Sequence, residues 1–230
     1  MPSNGLYVYG GASGILRTST DAINWTARSS GTLQSINTLI YANGLYVYVA
    51  SFGTIRTSTD AINWTARTSG TTSAILSITY GNGLYVFGGS NGALATSTDA
   101  INWTARSSGT IQTINALTYG NGVYVYAGAS GVLATSTDAI NFRIVGSGTS
   151  TTINAITYGN GVYVYGGFNG VLATSTDNYT TISAFNPITN QNYDFTTKFY
   201  VPAFTVSDNL QVMSAGYSQP IYVTYIKAKL

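Results

Sequence analysis

The acidic and nucleophilic residues of this 230-residue chain leave few catalytic chemistries open. All seven acidic residues are aspartates, and histidine, cysteine and glutamate are absent. Ser–His catalysis, thiol nucleophiles and His/Cys metal sites therefore have no residues to draw on. A glycosidase needs two carboxylates at a fixed separation, but five of the aspartates belong to one repeated turn motif, which leaves Asp194 and Asp208. We expect no enzyme activity, no cofactor and no metal site.

The repeated motif gives the chain a fixed period. The aspartates of the STD sequences recur at a constant step, and Asn-Gly pairs keep the same step without insertion or deletion. A period of about 40 residues that carries several short strands is typical of β-propeller blades. The aspartates are Asp21, Asp60, Asp99, Asp138 and Asp177, and the pairs begin at Asn4, Asn43, Asn82, Asn121 and Asn160.

Each unit is predicted to hold four antiparallel strands, which we label A to D. In the unit that begins at Ile114 they are Ile114–Tyr119, Val123–Tyr126, Val132–Thr135 and Phe142–Val145. The Asn-Gly pair joins A to B, because both residues accept a positive φ. Strand B is apolar on both faces, as in a sheet packed between two others. A β-solenoid would have shorter coils without a three-hairpin unit, and a helical solenoid is excluded because no 3.6-residue apolar period is present.

The first unit begins at its A–B turn and therefore lacks strand A, which would leave an aggregation-prone inner edge. One period after Ile153 lies Asn192–Thr197, with Phe195 in the place of Ile156. We therefore predict an all-β fold, a five-bladed β-propeller over residues 1–197 made of 39-residue, four-stranded blades. The C-terminal strand closes the ring, and residues 198–230 form a short β tail for assembly or attachment.

The sequence Ser-Thr-Asp-Ala-Ile-Asn-Trp resembles the Asp-box of sialidase-like β-propellers, S-x-D-x-G-x-x-W, but is one residue shorter and has no glycine. In that family the box is a structural turn between the outer strands. The resemblance implies that the aspartates here bond local backbone N–H groups while the following aromatic residue packs into the sheet, and a short aspartate side chain in a tight turn suits that role. Sialidase-like enzymes also need an Arg cluster and a Tyr activated by Glu, and this chain has no Glu. The aromatic residues are Trp25, Trp64, Trp103, Phe142 and Tyr179.

The aromatic position of this motif changes from Trp to Phe and Tyr along the chain. A packing role tolerates that change, whereas a sugar platform that uses the indole N–H would not. We therefore assign the motif to structure rather than to ligand binding.

Sequence variety collects at one end of the predicted blades. The A–B and C–D turns share one face and repeat almost unchanged, whereas the B–C tips and D–A connections share the other face and differ between units. Variable tips on an invariant scaffold indicate a recognition surface, although loop tips can also drift without function. Candidate ligand-binding residues are Phe52, Asn91, Phe168 and Asn169 on the tips, with Arg28, Arg67, Arg106, Gln34 and Gln112 on the connections. Neutral amides, hydroxyls and aromatic rings suit a glycan better than an anionic polymer.

The C-terminal segment, from about Thr196 onward, departs from the repeat. It resembles the C-termini of bacteriophage tail-fibre and tail-collar proteins, which run from a T-x-F-x-V/L-P element to a final YIKA-type strand, although the longer insert usual in that family is missing. The resemblance implies a tail that makes homotrimer contacts or attaches the protein to the virion; alternatively it is a terminal strand packed under the propeller. The matching residues are Thr197, Phe199, Val201 and Pro202, followed by Tyr225, Ile226, Lys227 and Ala228.

Charge and hydropathy limit the kinds of partner that the chain is expected to bind. The net charge is +2 with no run of Lys and Arg, so no nucleic-acid surface is expected. The start has no basic, apolar pattern of a signal peptide, and no segment approaches the length of a membrane helix. Our leading hypothesis is a virion fibre or receptor-binding protein that recognises a host surface glycan and contacts other virion proteins. The alternatives are a purely structural virion decoration or tail-tip protein without ligand, and a free bacterial lectin.

Overall fold

The computed structural model describes residues 5–175 and the backbone of Asn186–Pro187, which together form five antiparallel sheets. Within these residues the regular structure consists of strands and short 3-10 turns, without any α-helix. Sheets 2 to 5 each have four strands in the order A–B–C–D, and sheet 1 has only three, corresponding to B, C and D. The all-β class is therefore confirmed, and within the described residues sheet 1 contains no strand A.

The strands follow one another in chain order. Sheet 1 contains β1 (Tyr7–Gly10), β2 (Leu16–Ser19) and β3 (Thr26–Arg28). Sheet 2 contains β4 (Ile36–Ala42), β5 (Leu45–Ala50), β6 (Ile55–Ser58) and β7 (Thr65–Arg67). Sheet 3 contains β8 (Ile75–Gly81), β9 (Leu84–Gly89), β10 (Leu94–Ser97) and β11 (Thr104–Ala105). Sheet 4 contains β12 (Ile114–Gly120), β13 (Val123–Gly128), β14 (Leu133–Ser136) and β15 (Arg143–Ile144). Sheet 5 contains β16 (Ile153–Gly159), β17 (Val162–Gly167), β18 (Leu172–Ser175) and β19 (Asn186–Pro187).

Strand B is longer, and strand D shorter, than the sequence predicts. In sheet 4, strand B continues to Gly128 because it pairs along its whole length with strand A. Strand D keeps only Arg143–Ile144, although the Val145 N–H still donates to the Leu133 carbonyl at 2.9 Å. The Phe142 ring packs against Tyr126, with ring centroids 5.2 Å apart. Strand C begins one residue later than expected, at Leu133.

The 39-residue period fails in the last unit. One period after Arg143–Ile144 would place strand D at residues 182–183, whereas it lies four residues later, at Asn186–Pro187. Strands C and D are therefore further apart in the sequence here than in sheet 4, and the fixed period no longer locates later segments of the chain. The predicted roles of Asp177 and Tyr179, the closing strand Asn192–Thr197 and the tail at residues 198–230 lie outside the described residues.

Neighbouring sheets pack face to face, with their A strands side by side. The Asn37 side chain donates to the Ile75 carbonyl (2.7 Å), and the Asn115 side chain donates in the same way to Ile153 (2.9 Å). Tyrosines of strand B also bond across the seams, as Tyr85 does to the Ala42 carbonyl at 2.6 Å. In sheets 2 to 4 strand B is buried on both faces because it lies between two sheets, as its continuous apolar run predicts.

Candidate functional site

The B–C tips share one backbone shape and differ in the side chains that they carry. In each tip the middle residue has a left-handed φ between 53° and 57°, although only two of the five are asparagine and none is glycine. These residues are Ser13, Phe52, Asn91, Ser130 and Asn169. A bulky residue in this region is strained, whereas asparagine tolerates it. The tip therefore fixes the direction of a side chain whose identity is free to vary.

The first four tips each lie against the D–A connection that follows their sheet. A Cβ on Gly53 would lie 1.9 Å from the Thr71 carbonyl oxygen, so the residue after the strained position must be glycine. The connection is itself braced, because the buried Ser69 hydroxyl donates to that carbonyl at 3.0 Å. The tip also contacts the connection that precedes its sheet, where the backbone N–H of Ser51 donates to the Ser35 carbonyl at 3.3 Å. The structure thus brings the tips and connections to one face, where sequence reasoning placed the ligand.

Two predicted tip residues are exposed aromatics. Phe52 is 73% exposed and Phe168 is 61% exposed. They are not equivalent, because Phe52 has the left-handed middle position whereas Phe168 precedes the middle residue, Asn169. Both project from turns that are otherwise built of small or polar residues, so their rings are available to a ligand.

The amides predicted for this face lie between the tips and the connections. The Asn91 side chain approaches the Ser73 hydroxyl at 3.5 Å, and Ser130 donates to the Gln112 side chain at 3.4 Å. Gln34 lies on the connection beside the Phe52 tip, where its backbone N–H donates to the Thr32 hydroxyl. Sequence reasoning missed Leu33 and Ile111, which are highly exposed apolar residues on these connections. The sequence did contain a signal for their exposure, because polar residues, Thr72 and Ser150, hold the same repeat positions in the following units.

The three predicted arginines are tied to the outer strands rather than free on the tips. In sheets 1 to 3 an arginine that ends strand D or directly follows it donates through Nε to a buried threonine hydroxyl on strand C at 2.8 or 2.9 Å. These arginines are Arg28, Arg67 and Arg106, paired with Thr18, Thr57 and Thr96. Arg106 lines a surface cavity of about 620 Å³ with Gly92 of the tip and Ile111 of the connection. Arg67 instead lines a groove with residues of the following sheet.

The STD turns are built from their own side chains. In sheet 3 the Asp99 carboxylate accepts the backbone N–H groups of Ile101 and Asn102 at 2.8 Å, together with the Ser97 hydroxyl and the Asn102 side-chain amide. These hydrogen bonds, that from the Asn102 backbone N–H first among them, favour the ionised carboxylate. The pKa of Asp99 is therefore held well below its usual range. The same geometry recurs at Asp21, Asp60 and Asp138.

The indole of Trp103 is used within its own turn. Its Nε1–H donates to the Ala100 carbonyl at 3.2 Å, and its ring packs against Phe87 with centroids 4.9 Å apart. Phe142 has no such donor but packs against Tyr126 in the same place. The aromatic residue at this position therefore packs against strand B, and the indole hydrogen bond of Trp103 is dispensable for that packing.

The described part of the chain shows no grouping of three or more Asp residues that could hold a metal ion. No helix among these residues is long and apolar enough to span a membrane. The absence of enzyme activity remains a prediction.

Comparison with known proteins identifies the fold but no family. No protein-family model and no curated protein matches the chain. A solved structure titled "YCF48 bound to D1 peptide" is similar over 76% of this chain and 62% of that one, with 17% sequence identity and a TM-score of 0.59. The match thus spans less than two thirds of the length of YCF48. The computationally designed Ika4 protein is similar over 61% of this chain and 90% of that one, with 17% identity and a TM-score of 0.53. At such identities the likeness concerns architecture, and the chain has the fold of a β-propeller.

Proposed function

We propose that this chain is a phage virion component, a fibre or receptor-binding protein, that recognises a neutral host surface glycan through its tip face. The tip face consists of the B–C tips and the D–A connections. The observation that carries the proposal is Phe52, which holds a left-handed φ of 54° while 73% of its surface is exposed. Its ring costs stability through backbone strain and regains little through packing. Such an outlier is a reason to infer function.

The chemistry of the tip face suits a neutral ligand. Exposed aromatic rings stack on the apolar face of a sugar, while amides such as Asn91, Asn169 and Gln112 fix the orientation of its hydroxyls. The tips differ from sheet to sheet, so we expect one or two strong sites rather than five equal ones. Homotrimer formation through residues 198–230 would raise avidity beyond that of a single weak site.

We further propose that the propeller is a closed, five-bladed ring. At three seams a tyrosine hydroxyl on strand B donates to the carbonyl of the last residue of strand A in the preceding sheet. The pairs are Tyr85 with Ala42, Tyr124 with Gly81 and Tyr163 with Gly120. In a closed ring sheet 1 follows sheet 5, so the hydroxyl of Tyr7 in sheet 1 would donate to the Gly159 carbonyl in sheet 5.

Both members of that pair are open within the described residues. Tyr7 is 41% exposed, whereas its counterparts are almost fully buried. A Cβ on Gly159 would meet nothing within 4 Å, whereas Gly81 and Gly120 lie under tyrosine rings of the next sheet. We infer that the two faces are the two halves of one seam, and that a segment after Pro187 supplies strand A of sheet 1.

The function is tested by glycan-array binding of the purified protein. The double variant Phe52→Ser and Phe168→Ser should lose binding without unfolding. Ile62→Ser, which removes an exposed apolar side chain from the opposite face, is the matched control. Binding by the correctly folded double variant would remove these rings from the site. A wild-type protein that binds no glycan but is found in purified virions would favour the structural alternative, and a binder absent from virions would favour a free lectin.

A further inference from the structure

A groove separates sheets 2 and 3 on their outer side, and we call it the 2–3 groove. Its volume is about 430 Å³, and it is open to solvent. One wall comes from strand D of sheet 2 and the residues after it, and the other comes from the STD turn of sheet 3. The lining residues are Ala66, Arg67, Thr68, Gly70, Ile101, Asn102 and Trp103.

The corresponding place between sheets 1 and 2 is filled by an arginine of the chain itself. The guanidinium of Arg56, on strand C of sheet 2, donates to the backbone carbonyls of Trp64 (3.4 Å) and Gly31. A Cβ on Gly31 would lie 2.5 Å from Arg56 Nη1, so the guanidinium lies directly against that glycine. Gly31 and Trp64 lie one repeat before Gly70 and Trp103, which line the 2–3 groove. The first seam therefore shows an occupied form of the groove.

The 2–3 groove is open because its own sheet supplies no such side chain. Ala95 holds the position of Arg56 in strand C of sheet 3 and is buried. Around Gly70 nothing in the described residues comes within 4 Å of an added Cβ. The carbonyls of Gly70 and Trp103 therefore hold the positions of the two acceptors that bind Arg56, but without the guanidinium.

We propose that the 2–3 groove accepts an arginine side chain from a partner protein, in the way that the first seam holds Arg56. A guanidinium offers several N–H donors in one rigid plane, which suits two fixed carbonyls. The Arg56 Nε is buried without a hydrogen-bond partner among the described residues. A side chain that enters from outside is free to adjust its approach and can avoid that loss.

The arginine already on the groove wall does not prevent this. Arg67 is held by its Nε–H bond to Thr57, and its counterpart Arg28, held by Thr18 at 2.9 Å, coexists with Arg56 in the first seam. The tether keeps the wall arginine on strand D. The proposal concerns a protein partner and is independent of glycan binding on the tip face.

The experiment uses the three tryptophan indole N–H signals of the full-length protein, with ¹⁵N-labelled tryptophan and single Trp→Phe variants for assignment. N-acetyl-arginine methylamide is titrated, and N-acetyl-lysine methylamide is the matched control. The Trp103 signal should shift saturably with the arginine probe, and the Trp64 signal should not, because Arg56 occupies its groove. Lysine should bind about tenfold more weakly, because a compact ammonium does not match a planar pair of acceptors.

Two substitutions exchange the open and filled states of the two grooves, and each introduces the residue that the other groove has at the same repeat position. Ala95→Arg should fill the 2–3 groove and abolish the Trp103 shift. Arg56→Ala should open the first groove and make Trp64 respond to the arginine probe. If Arg56→Ala does not fold, Ala95→Arg alone decides. A Trp103 signal that ignores arginine, responds equally to lysine, or still responds in folded Ala95→Arg would overturn the proposal. A stronger response to mannose or N-acetylglucosamine than to arginine would assign the groove to glycans and overturn it as well.

Discussion

Phe52→Asn tests whether the tip face sacrifices stability for recognition. Asparagine holds the same left-handed position at Asn91 and Asn169, so the backbone needs no change. Relief of the left-handed strain should gain about 1 kcal/mol. Phe52 keeps only about a quarter of its surface covered, and since full burial of a Phe contributes about 2–3 kcal/mol, the lost contact should cost about 0.5–0.7 kcal/mol.

The net result for Phe52→Asn is a gain of about 0.3–0.5 kcal/mol, or a rise in Tm of about 1–2 °C for a protein of this size. Differential scanning calorimetry measures it, and Asn91→Phe is the reciprocal control, which should lower Tm by introducing the same strain. Glycan binding should fall in Phe52→Asn while stability does not. A loss of more than about 1 kcal/mol would show that Phe52 packs as a structural residue, and the argument from strain to function would fail.

Further predictions concern the scaffold. Asp99→Ala should destabilise the protein by about 1 kcal/mol, since a turn loses its side-chain acceptor, whereas Thr98→Ala beside it should change little; equal melting temperatures would contradict a structural role for the STD turn. Trp103→Phe should cost less than about 1 kcal/mol, because the indole bond to Ala100 is lost but the ring contact survives, and a larger loss in urea unfolding would contradict a dispensable bond. In a closed ring Tyr7→Phe should cost about 1 kcal/mol, as Tyr124→Phe should; no effect at Tyr7 beside a clear effect at Tyr124 would mean an open ring. Removing residues 192–230 should cause aggregation or unfolding, and a soluble, equally stable monomer would exclude closure by that segment. Thermal stability should be flat from about pH 5 to pH 9, because the chain has no histidine. It should fall below about pH 4, where the STD aspartates, whose folded pKa is lowered, begin to protonate preferentially in the unfolded state. It should fall again above about pH 10, because burial raises the folded pKa of Tyr48 and Tyr85 to about 12, so the unfolded state ionises first. A melting temperature that stays constant at both extremes of pH would contradict both assignments.

Local signals were enough to predict the repeating part of the fold. Asn43 and Gly44 both have positive φ values, 48° and 78°, as the Asn-Gly hairpin signal requires. The strand B that is apolar on both faces and the three described strands of sheet 1 also follow from short stretches of sequence. These features depend on residues close together in the chain, which is why one sequence was sufficient.

Features that depend on contacts between units were not predictable in the same way. The Arg56 side chain fills a seam because Gly31 lies 25 residues earlier, in the connection between sheets 1 and 2, and nothing local distinguishes Arg56 from an exposed arginine. The left-handed tips were also missed, since Phe52 has no local preference for that conformation. The four-residue offset of Asn186–Pro187 was missed because the period was extended through a unit whose sequence had already diverged.

The three-stranded first sheet has a consequence for how the chain folds. Every pairing in sheets 2 to 4 joins consecutive strands across short turns, so these sheets can form rapidly from local contacts. Strand β1 has no such neighbour on its inner side among the described residues. In the closed ring proposed above, its partner comes from a distant part of the chain. Pairing within one chain requires a long loop to close and should therefore be the slowest step. Until it is complete, β1 is an open edge that a second copy can occupy, so refolding at high protein concentration should yield strand-exchanged oligomers.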